Sequence, residues 1–128
     1  MKILIPGDEK FDLQKCKNLY NEVEQLMNNS CSFYDIVYNS HFYSFYKNSK
    51  LAGCIYVTEE NKKLFLNGFS VKKNHKFNIE AVNKVLSFYN CSMYAKTKNR
   101  TAQILLVKCG FKLIYTNSNG IKFYKKEK

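Results

Sequence analysis

The stretch that decides the fold is N-R-T-A-Q-I-L-L-V-K-C-G-F, residues 99–111. Asn99 or Thr97 can cap a helix, because a side-chain oxygen there accepts a hydrogen bond from a free backbone N–H of the first turn. The apolar residues that follow have helical spacing: Ala102, Leu105, Leu106 and Cys109. Gly110 suits the left-handed position that ends a helix. The stretch therefore predicts a helix that ends at Gly110, with a strand beginning at Phe111.

Further elements are predicted on both sides of this stretch. On its N-terminal side, residues 92–95 predict a short strand, and Asn78 can cap a helix that ends at Asn90. The apolar face of that helix has a spacing of three and four: Ile79, Val82, Val85, Leu86 and Tyr89. On its C-terminal side, T-N-S-N-G at 116–120 is a strong turn signal that joins two strands into a hairpin. These two strands are residues 111–115 and 121–124.

The first half of the chain predicts a strand, a helix and a meander. Three strands separated by polar turns form an antiparallel meander, near residues 41–47, 51–57 and 64–71. Gly68 within the third strand indicates a bulge or a close backbone approach. Earlier in the chain, residues 1–5 predict a strand, and Asp12 caps a helix that stops at Asn28. Residues 31–40 are interpreted as a loop or short turn.

Composition favours one compact domain with a strongly basic surface. The chain has 128 residues, 45% hydrophobic and 16% aromatic, so we expect residues 1–128 to form a single domain. The formal net charge of +11 attracts polyanions such as nucleic acid. Proteins that read base sequence depend on arginine, and the single arginine here is Arg100, so the charge predicts diffuse attraction. A coding bias towards lysine and asparagine explains the same composition equally well.

The cysteines and histidines predict neither a disulfide framework nor a metal site. Five cysteines are present, an odd number, with no C-x-x-C pair, and neither histidine lies at ligand spacing from a cysteine or carboxylate. We interpret the cysteines as small buried side chains of a reducing, cytoplasmic environment. The apolar run at residues 3–5 is stopped by Pro6 and Gly7, so we expect neither a signal peptide nor a membrane span.

The order of elements over residues 51–124 resembles that of the GNAT family of N-acetyltransferases. The sharpest match is N-R-T-A at residues 99–102 followed by Gly110 and Phe111, which is similar to the family's N-x-x-A and to the Gly-Phe that starts its sixth strand. L-A-G at residues 51–53 is similar to the start of the family's third strand. The resemblance implies an α/β (α+β) GNAT-like acyl-CoA N-acyltransferase fold, with a central mixed, mostly antiparallel sheet flanked by helices.

The resemblance also implies where acetyl-CoA would bind. In the family the fourth strand splays from the fifth, and the pantetheine arm pairs with the fourth strand. Backbone groups of Phe69, Ser70 and Val71 would hold this arm, and Asn99 would position the cofactor. The next loop would turn its N–H groups to the pyrophosphate at a helix start, where anions are favoured. The loop residues implied are Lys72, Lys73, Lys76, Phe77 and Asn78. The acceptor amine would lie near His41 and Tyr43, between the meander and the N-terminal helix.

Two departures from the family pattern affect the expected chemistry. The family loop is R/Q-x-x-G-x-G/A, whose glycines let phosphate oxygens approach the backbone, whereas residues 73–79 here are K-N-H-K-F-N-I. Lysine side chains could hold the phosphates instead, or cofactor binding could have been lost. The tyrosine that protonates the leaving thiolate in many members is replaced by Leu106. Tyr94 on the neighbouring strand is the candidate substitute, although tyrosines in strands are more often packing residues.

Three functions remain open at this point. The first is transfer of an acetyl group from acetyl-CoA to an unknown amine. The second is a catalytically degenerate binding or structural module of the same fold, such as a phage or mobile-element protein, which the glycine-free loop and Leu106 favour. The third is a basic nucleic-acid-associated domain with aromatic residues among lysines as its stacking platform. No metal is expected in any of the three.

Overall fold

The computed structural model describes residues 1–23, 32–71 and 74–128. Four helices and seven strands are found in these ranges. In chain order they are β1 (Lys2–Leu4), α1 (Leu13–Val23), α2 (Phe33–Tyr38), β2 (His41–Lys47), β3 (Lys50–Glu60), β4 (Lys63–Ser70), α3 (His75–Leu86), β5 (Met93–Thr97), α4 (Arg100–Lys108), β6 (Lys112–Thr116) and β7 (Lys122–Lys126).

The strands form one sheet in the order β1-β2-β3-β4-β5-β7-β6. Its pairs are antiparallel except that between β4 and β5, which is parallel. Parallel neighbours need a crossover connection, and α3 provides it. The predicted α/β class, with a mixed and mostly antiparallel sheet flanked by helices, is confirmed.

Two apolar cores lie on the two faces of the sheet. Alternate residues of a strand point to opposite faces, and β3 shows this clearly. Cys54 and Tyr56 belong to the core that includes α1 and α2. Ile55 and Val57 belong to the core that includes α3 and α4. The near-continuous apolar run of β3 follows from this burial on both faces.

Helix α2 was not expected from the sequence, which predicted a loop or short turn at residues 31–40. Ser32 caps it, with its hydroxyl accepting a hydrogen bond from the Asp35 N–H at 3.2 Å. Phe33, Ile36 and Val37 are buried, which is the i, i+3, i+4 pattern of a helix. The prediction was wrong because aromatic and β-branched residues have low helix propensity, and here tertiary packing outweighs it.

Helix α3 begins earlier than the sequence predicted. Its N-cap is Asn74 and its first residue is His75, whereas Asn78 was predicted as the cap. The ring of Phe77 packs on Phe45 with 5.9 Å between the ring centroids, which gives the first turn an apolar anchor. The helix ends at Leu86, before the predicted Asn90. The predicted end of the N-terminal helix at Asn28 lies outside the described residues.

The glycine within β4 allows a close backbone approach, as predicted. A Cβ at Gly68 would lie 2.9 Å from the carbonyl oxygen of Cys54, closer than real Cβ contacts allow. The register between β3 and β4 is continuous, so the alternative of a bulge at this position is wrong. The register does shift at Phe45 and Tyr46, where β2 pairs with β3.

The described cysteines include buried and exposed residues. Cys16, Cys54 and Cys109 are buried and Cys91 is exposed, all as free thiols. Burial raises the pKa of the Cys109 thiol to about 11. No described helix is long and apolar enough to cross a bilayer, and no described cluster of histidine, cysteine, aspartate and glutamate could hold a metal ion.

The end of helix α4 depends on a left-handed glycine. Gly110 has φ +94°, and a Cβ there would lie 3.4 Å from Cε of Lys126. We predict that Gly110→Val lowers the unfolding free energy by about 1–2 kcal/mol or more, because a left-handed conformation is costly for L-residues. Urea denaturation measures this, and Gly110→Asn is the matched control because asparagine tolerates this region. Equal stability of the two variants would contradict this helix ending.

Candidate functional site

Strands β4 and β5 separate to form a gap. Their ladder has a single pair, Phe65 opposite Tyr94, although β4 continues to Ser70 and β5 to Thr97. Five residues of strand span about 16 Å. Beyond Phe65, residues 66–70 of β4 therefore extend over this length without a described strand paired on the β5 side.

The wall of the gap formed by β4 carries free backbone groups. In an antiparallel pair, N–H and C=O groups of alternate residues point towards the partner strand. The N–H of Val71 donates to the carbonyl oxygen of Ala52 at 2.9 Å, so Val71 and Phe69 turn their backbone groups to β3. Ser70 and Gly68 consequently turn theirs into the gap, where no described strand pairs with them.

The first turn of α3 follows this strand and offers N–H donors. The first intrahelical bond runs from the N–H of Asn78 to the carbonyl oxygen of Asn74 at 2.8 Å. The N–H groups of His75, Lys76 and Phe77 precede it, and the Asn74 side chain makes no capping hydrogen bond. A helix start of this kind attracts anions through its N–H groups and its dipole.

Two buried polar atoms at this helix start have no partner among the described residues. Nδ2 of Asn78 donates to Oγ of Ser70 at 2.8 Å, which ties α3 to the end of β4. Oδ1 of Asn78 and Nε2 of His75 are buried without a hydrogen-bond partner. Buried polar atoms are rarely left unpaired, so these two are open to a ligand or water.

Asn99 lies at the end of β5, on the other side of the gap. Its Oδ1 accepts a hydrogen bond from the N–H of Ala102 at 3.1 Å, and its own N–H donates to Oγ1 of Thr97 at 2.9 Å. Asn99 is therefore the N-cap of α4. Of the two caps that the sequence offered, Asn99 or Thr97, the structure selects Asn99.

Tyr94 lies at the closed end of the gap, where the strands still pair. Its ring packs on Phe65 with 5.7 Å between the ring centroids. The ammonium groups of Lys63 and Lys125 lie 5.1 Å and 5.6 Å from its centroid. A hydrogen bond to Glu127 raises the pKa of Lys125. These contacts account for the ring as a packing residue, which the sequence analysis gave as the more common role of a tyrosine in a strand.

Leu106, which the sequence resemblance places at the position of the family's tyrosine, is a core residue. It is 5% exposed and belongs to the core between the sheet and helices α3 and α4. A leucine has no proton to donate, so this side chain cannot act as a general acid. The contribution of a general acid is typically about 10²–10⁴-fold in rate.

The structure brings part of the predicted site together. Ser70, Lys76, Phe77 and Asn78 lie together where β4 ends and α3 begins. Lys72 and Lys73 lie outside the described residues. The backbone groups of Phe69 and Val71 point to β3, and the N–H of Asn78 is bonded within the helix. The prediction that these groups are available to a ligand therefore differs from the structure. The sequence analysis noted Gly68 as a backbone feature but did not assign it to the site.

The predicted position of His41 and Tyr43, between the meander and the N-terminal helix, is wrong. Phe42 belongs to the core of α1 and α2, so its neighbours His41 and Tyr43 point to the opposite face. There the Tyr43 hydroxyl lies 2.8 Å from the Tyr89 hydroxyl, and burial is the main cause that raises the pKa of Tyr89. Tyr43 also lines a groove of about 600 Å³ with residues of β1 and α3.

Solved acetyltransferase structures share this architecture. An N-acetyltransferase from Staphylococcus aureus Mu50 has a TM-score of 0.74 at 14% identity, covering 98% of this chain and 95% of that chain. An acetyltransferase from Bacillus subtilis in complex with CoA has a TM-score of 0.62 at 12% identity, covering 99% and 98%. The aminoglycoside 6′-N-acetyltransferase from Enterococcus faecium has a TM-score of 0.62 at 15% identity, covering 99% and 97%.

At these identities the likeness shows the fold alone. The protein has the fold of the GNAT acetyltransferases. No family model matches the sequence, and no curated protein matches it.

The capping role of Asn99 gives a testable prediction. Asn99→Ala removes the acceptor of the Ala102 N–H and should lower the unfolding free energy by about 1 kcal/mol. Asn99→Asp keeps an oxygen at the same place and should retain wild-type stability within a few tenths of a kcal/mol. Urea denaturation of the three proteins measures the difference. If alanine and aspartate are equally well tolerated, Asn99 does not cap α4.

Proposed function

We propose that this protein binds acetyl-CoA in the gap between β4 and β5 and transfers the acetyl group to an amine. The observation that carries the proposal is the single Phe65–Tyr94 pair. Beyond this pair, backbone groups of β4 pair with no described strand. The chain then continues to the N-terminus of α3, whose first N–H groups have no partner within the helix. A ligand with an extended amide-containing arm and an anionic end matches this arrangement. The acetyltransferase structures of the same fold, one of them a CoA complex, support it.

The pantetheine arm would pair with β4 as an additional strand. Gly68 and Ser70 would exchange hydrogen bonds with its amides, because their backbone groups face the gap. The pair Asn78–Ser70 would hold the helix start in line with this strand. In this proposal Gly68 and Ser70 replace Phe69, Ser70 and Val71 as the residues whose backbone groups hold the arm.

The pyrophosphate would lie at the N-terminus of α3. The N–H groups of His75, Lys76 and Phe77 would donate to its oxygens, and the Lys76 ammonium would add a charge. Asn74 has φ −116°, and none of the described residues of this loop has a positive φ. The described backbone therefore offers its donors from an ordinary helix start, without the glycines of the family loop. Lys72 and Lys73 remain further candidates for this contact.

The bound cofactor would supply an acetyl thioester, which is activated for attack by an uncharged amine. The chain would hold the thioester at the closed end of the gap, where proximity and orientation give much of the rate. The Tyr94 hydroxyl is the candidate to protonate the leaving thiolate. Asn99 would line the opposite wall with its amide nitrogen, since its Oδ1 is used to cap α4.

A specific observation favours the second candidate function, a non-catalytic module of the same fold. Leu106 is buried in the core, so the position of the usual acid has been absorbed into packing. In that case the gap would bind a CoA compound or another extended ligand without turning it over. Binding and turnover must therefore be tested separately.

Charge reversal at the helix start tests cofactor binding. Lys76→Glu should weaken acetyl-CoA binding about tenfold or more, since a carboxylate there repels the pyrophosphate. The same change suits the helix dipole and should leave the fold intact. Lys15→Glu is the matched control, because Lys15 is also an exposed lysine in the first turn of a helix, α1. Calorimetric titration with acetyl-CoA, CoA and ADP measures the affinities.

Either of two results would overturn this assignment. Equal losses of acetyl-CoA affinity in Lys76→Glu and Lys15→Glu would show that the affinity depends only on the net charge of the protein. No saturable binding of acetyl-CoA at millimolar concentration by the wild-type protein would remove the cofactor altogether. Thermal denaturation of each variant excludes unfolding as the cause.

Removal of one hydroxyl tests the proposed proton donor. Tyr94→Phe keeps the ring that packs on Phe65 and should leave acetyl-CoA affinity unchanged. If the hydroxyl protonates the thiolate, turnover with an amine should fall about 10²-fold, as measured by thiol release. Unchanged turnover would make Tyr94 a packing residue, and turnover absent from the wild-type protein across an amine screen would favour the non-catalytic module.

A further inference from the structure

One half of one sheet face has no described helix on it. Helix α1 packs against β3 and β4, α2 packs against β2, and α4 covers β5 from the opposite face. On β7 the buried Tyr124 points to the α4 side, so Phe123 and Lys125 point to the uncovered side. We call this surface the open face, and define it by Phe65, Tyr94, Lys96, Tyr115, Phe123 and Lys125.

Aromatic rings of the open face form two groups. Tyr115 and Phe123 are stacked, with centroids 4.4 Å apart and planes 7° apart, and Tyr115 is 53% exposed. Phe65 and Tyr94 form the second group. The register places Phe123 beside Lys96 and Tyr94 beside Lys125, so rings and ammonium groups alternate across the strands.

The lysines of the open face lie over these rings. The ammonium groups of Lys63 and Lys125 lie over Tyr94, and that of Lys96 lies 5.2 Å from the centroid of Phe65. Two of these lysines form salt bridges with carboxylates. Lys96 lies 3.0 Å from Glu60, and Lys125 lies 3.0 Å from Glu127. Exposed salt bridges of this kind contribute little stability, so the phosphates of a polyanion can displace the two carboxylates.

We propose that the open face binds single-stranded nucleic acid. Bases would stack on the exposed Tyr115 ring and its partner Phe123, and the phosphates would pair with Lys96 and Lys125. Aromatic rings with ammonium groups beside them match a polymer that alternates planar bases with phosphates. The formal net charge of +11 adds long-range attraction. Phe65 and Tyr94 belong both to this surface and to the closed end of the gap. The proposed base and phosphate contacts use Tyr115, Phe123, Lys96 and Lys125 instead, so the inference does not rest on the acetyl-CoA proposal.

Stacking distinguishes this binding from diffuse attraction to any polyanion. Fluorescence anisotropy with labelled 12-nucleotide single strands, one of DNA and one of RNA, should show saturable binding. An abasic strand of the same length and charge should bind at least about tenfold more weakly. Equal affinity for the abasic strand would overturn the proposal, and so would equal or tighter binding of poly-glutamate.

Variants locate the binding on the open face. Tyr115→Ala and Phe123→Ala should each weaken binding about tenfold, whereas Tyr38→Ala, which removes a 66% exposed tyrosine at the end of α2, should not. Lys125→Gln should reduce the slope of log affinity against log salt by about 0.7 relative to the wild type. Lys15→Gln on α1 is its control and should leave the slope nearly unchanged.

A further variant keeps the test valid if truncation unfolds the protein. Tyr115→Trp enlarges the stacking ring and provides a tryptophan in a chain that has none. Its fluorescence should be quenched by the normal oligonucleotides and not by the abasic strand. Wild-type affinity in folded Tyr115→Ala and Phe123→Ala variants, or absence of quenching in Tyr115→Trp at saturating oligonucleotide, would overturn the proposal.

Discussion

The parallel contact between Phe65 and Tyr94 is the constraint on which the rest of the structure depends. It joins β1–β4 to β5–β7 in one sheet, and it does so at one end only. Because the strands do not pair beyond it, the backbone groups of Gly68 and Ser70 face no strand among the described residues. The start of α3 and the cap of α4 both lie at the open end. The candidate site therefore follows from the sheet topology more than from any single reactive side chain.

A helix start takes the place of a glycine loop in this site. Glycines allow a close approach because they reach positive φ without strain, but an ordinary first turn also presents three N–H groups to an anion. His75, Lys76 and Phe77 supply these groups, and Phe77 fixes the turn through its contact with Phe45. The absence of glycine from residues 73–79 therefore does not remove the N–H donors of this helix start.

The fold could be predicted from the sequence further than the site could. Residues 97–111 predicted helix α4 with a cap at Asn99 or Thr97, and the left-handed Gly110, because these depend on local backbone chemistry. Helix α2 was missed because packing decided it. The directions of backbone groups in β4 were wrong for Phe69 and Val71, since they depend on the register with β3. A shift of one residue in register reverses which groups face the gap, and the sequence does not specify that register.

The exposed strand β6 has a consequence for the whole molecule. It is an edge strand of the sheet, and its residues are all exposed. The large apolar side chains at its centre are Leu113, Ile114 and Tyr115. An unpaired apolar edge can add a strand from another chain. Lys112 and Lys122 lie at the two ends of this hairpin. If a second copy paired with β6, the positive charges of the two copies would repel each other there. Colloidal stability in concentrated or high-salt solution would thus depend on charge repulsion, which salt screens.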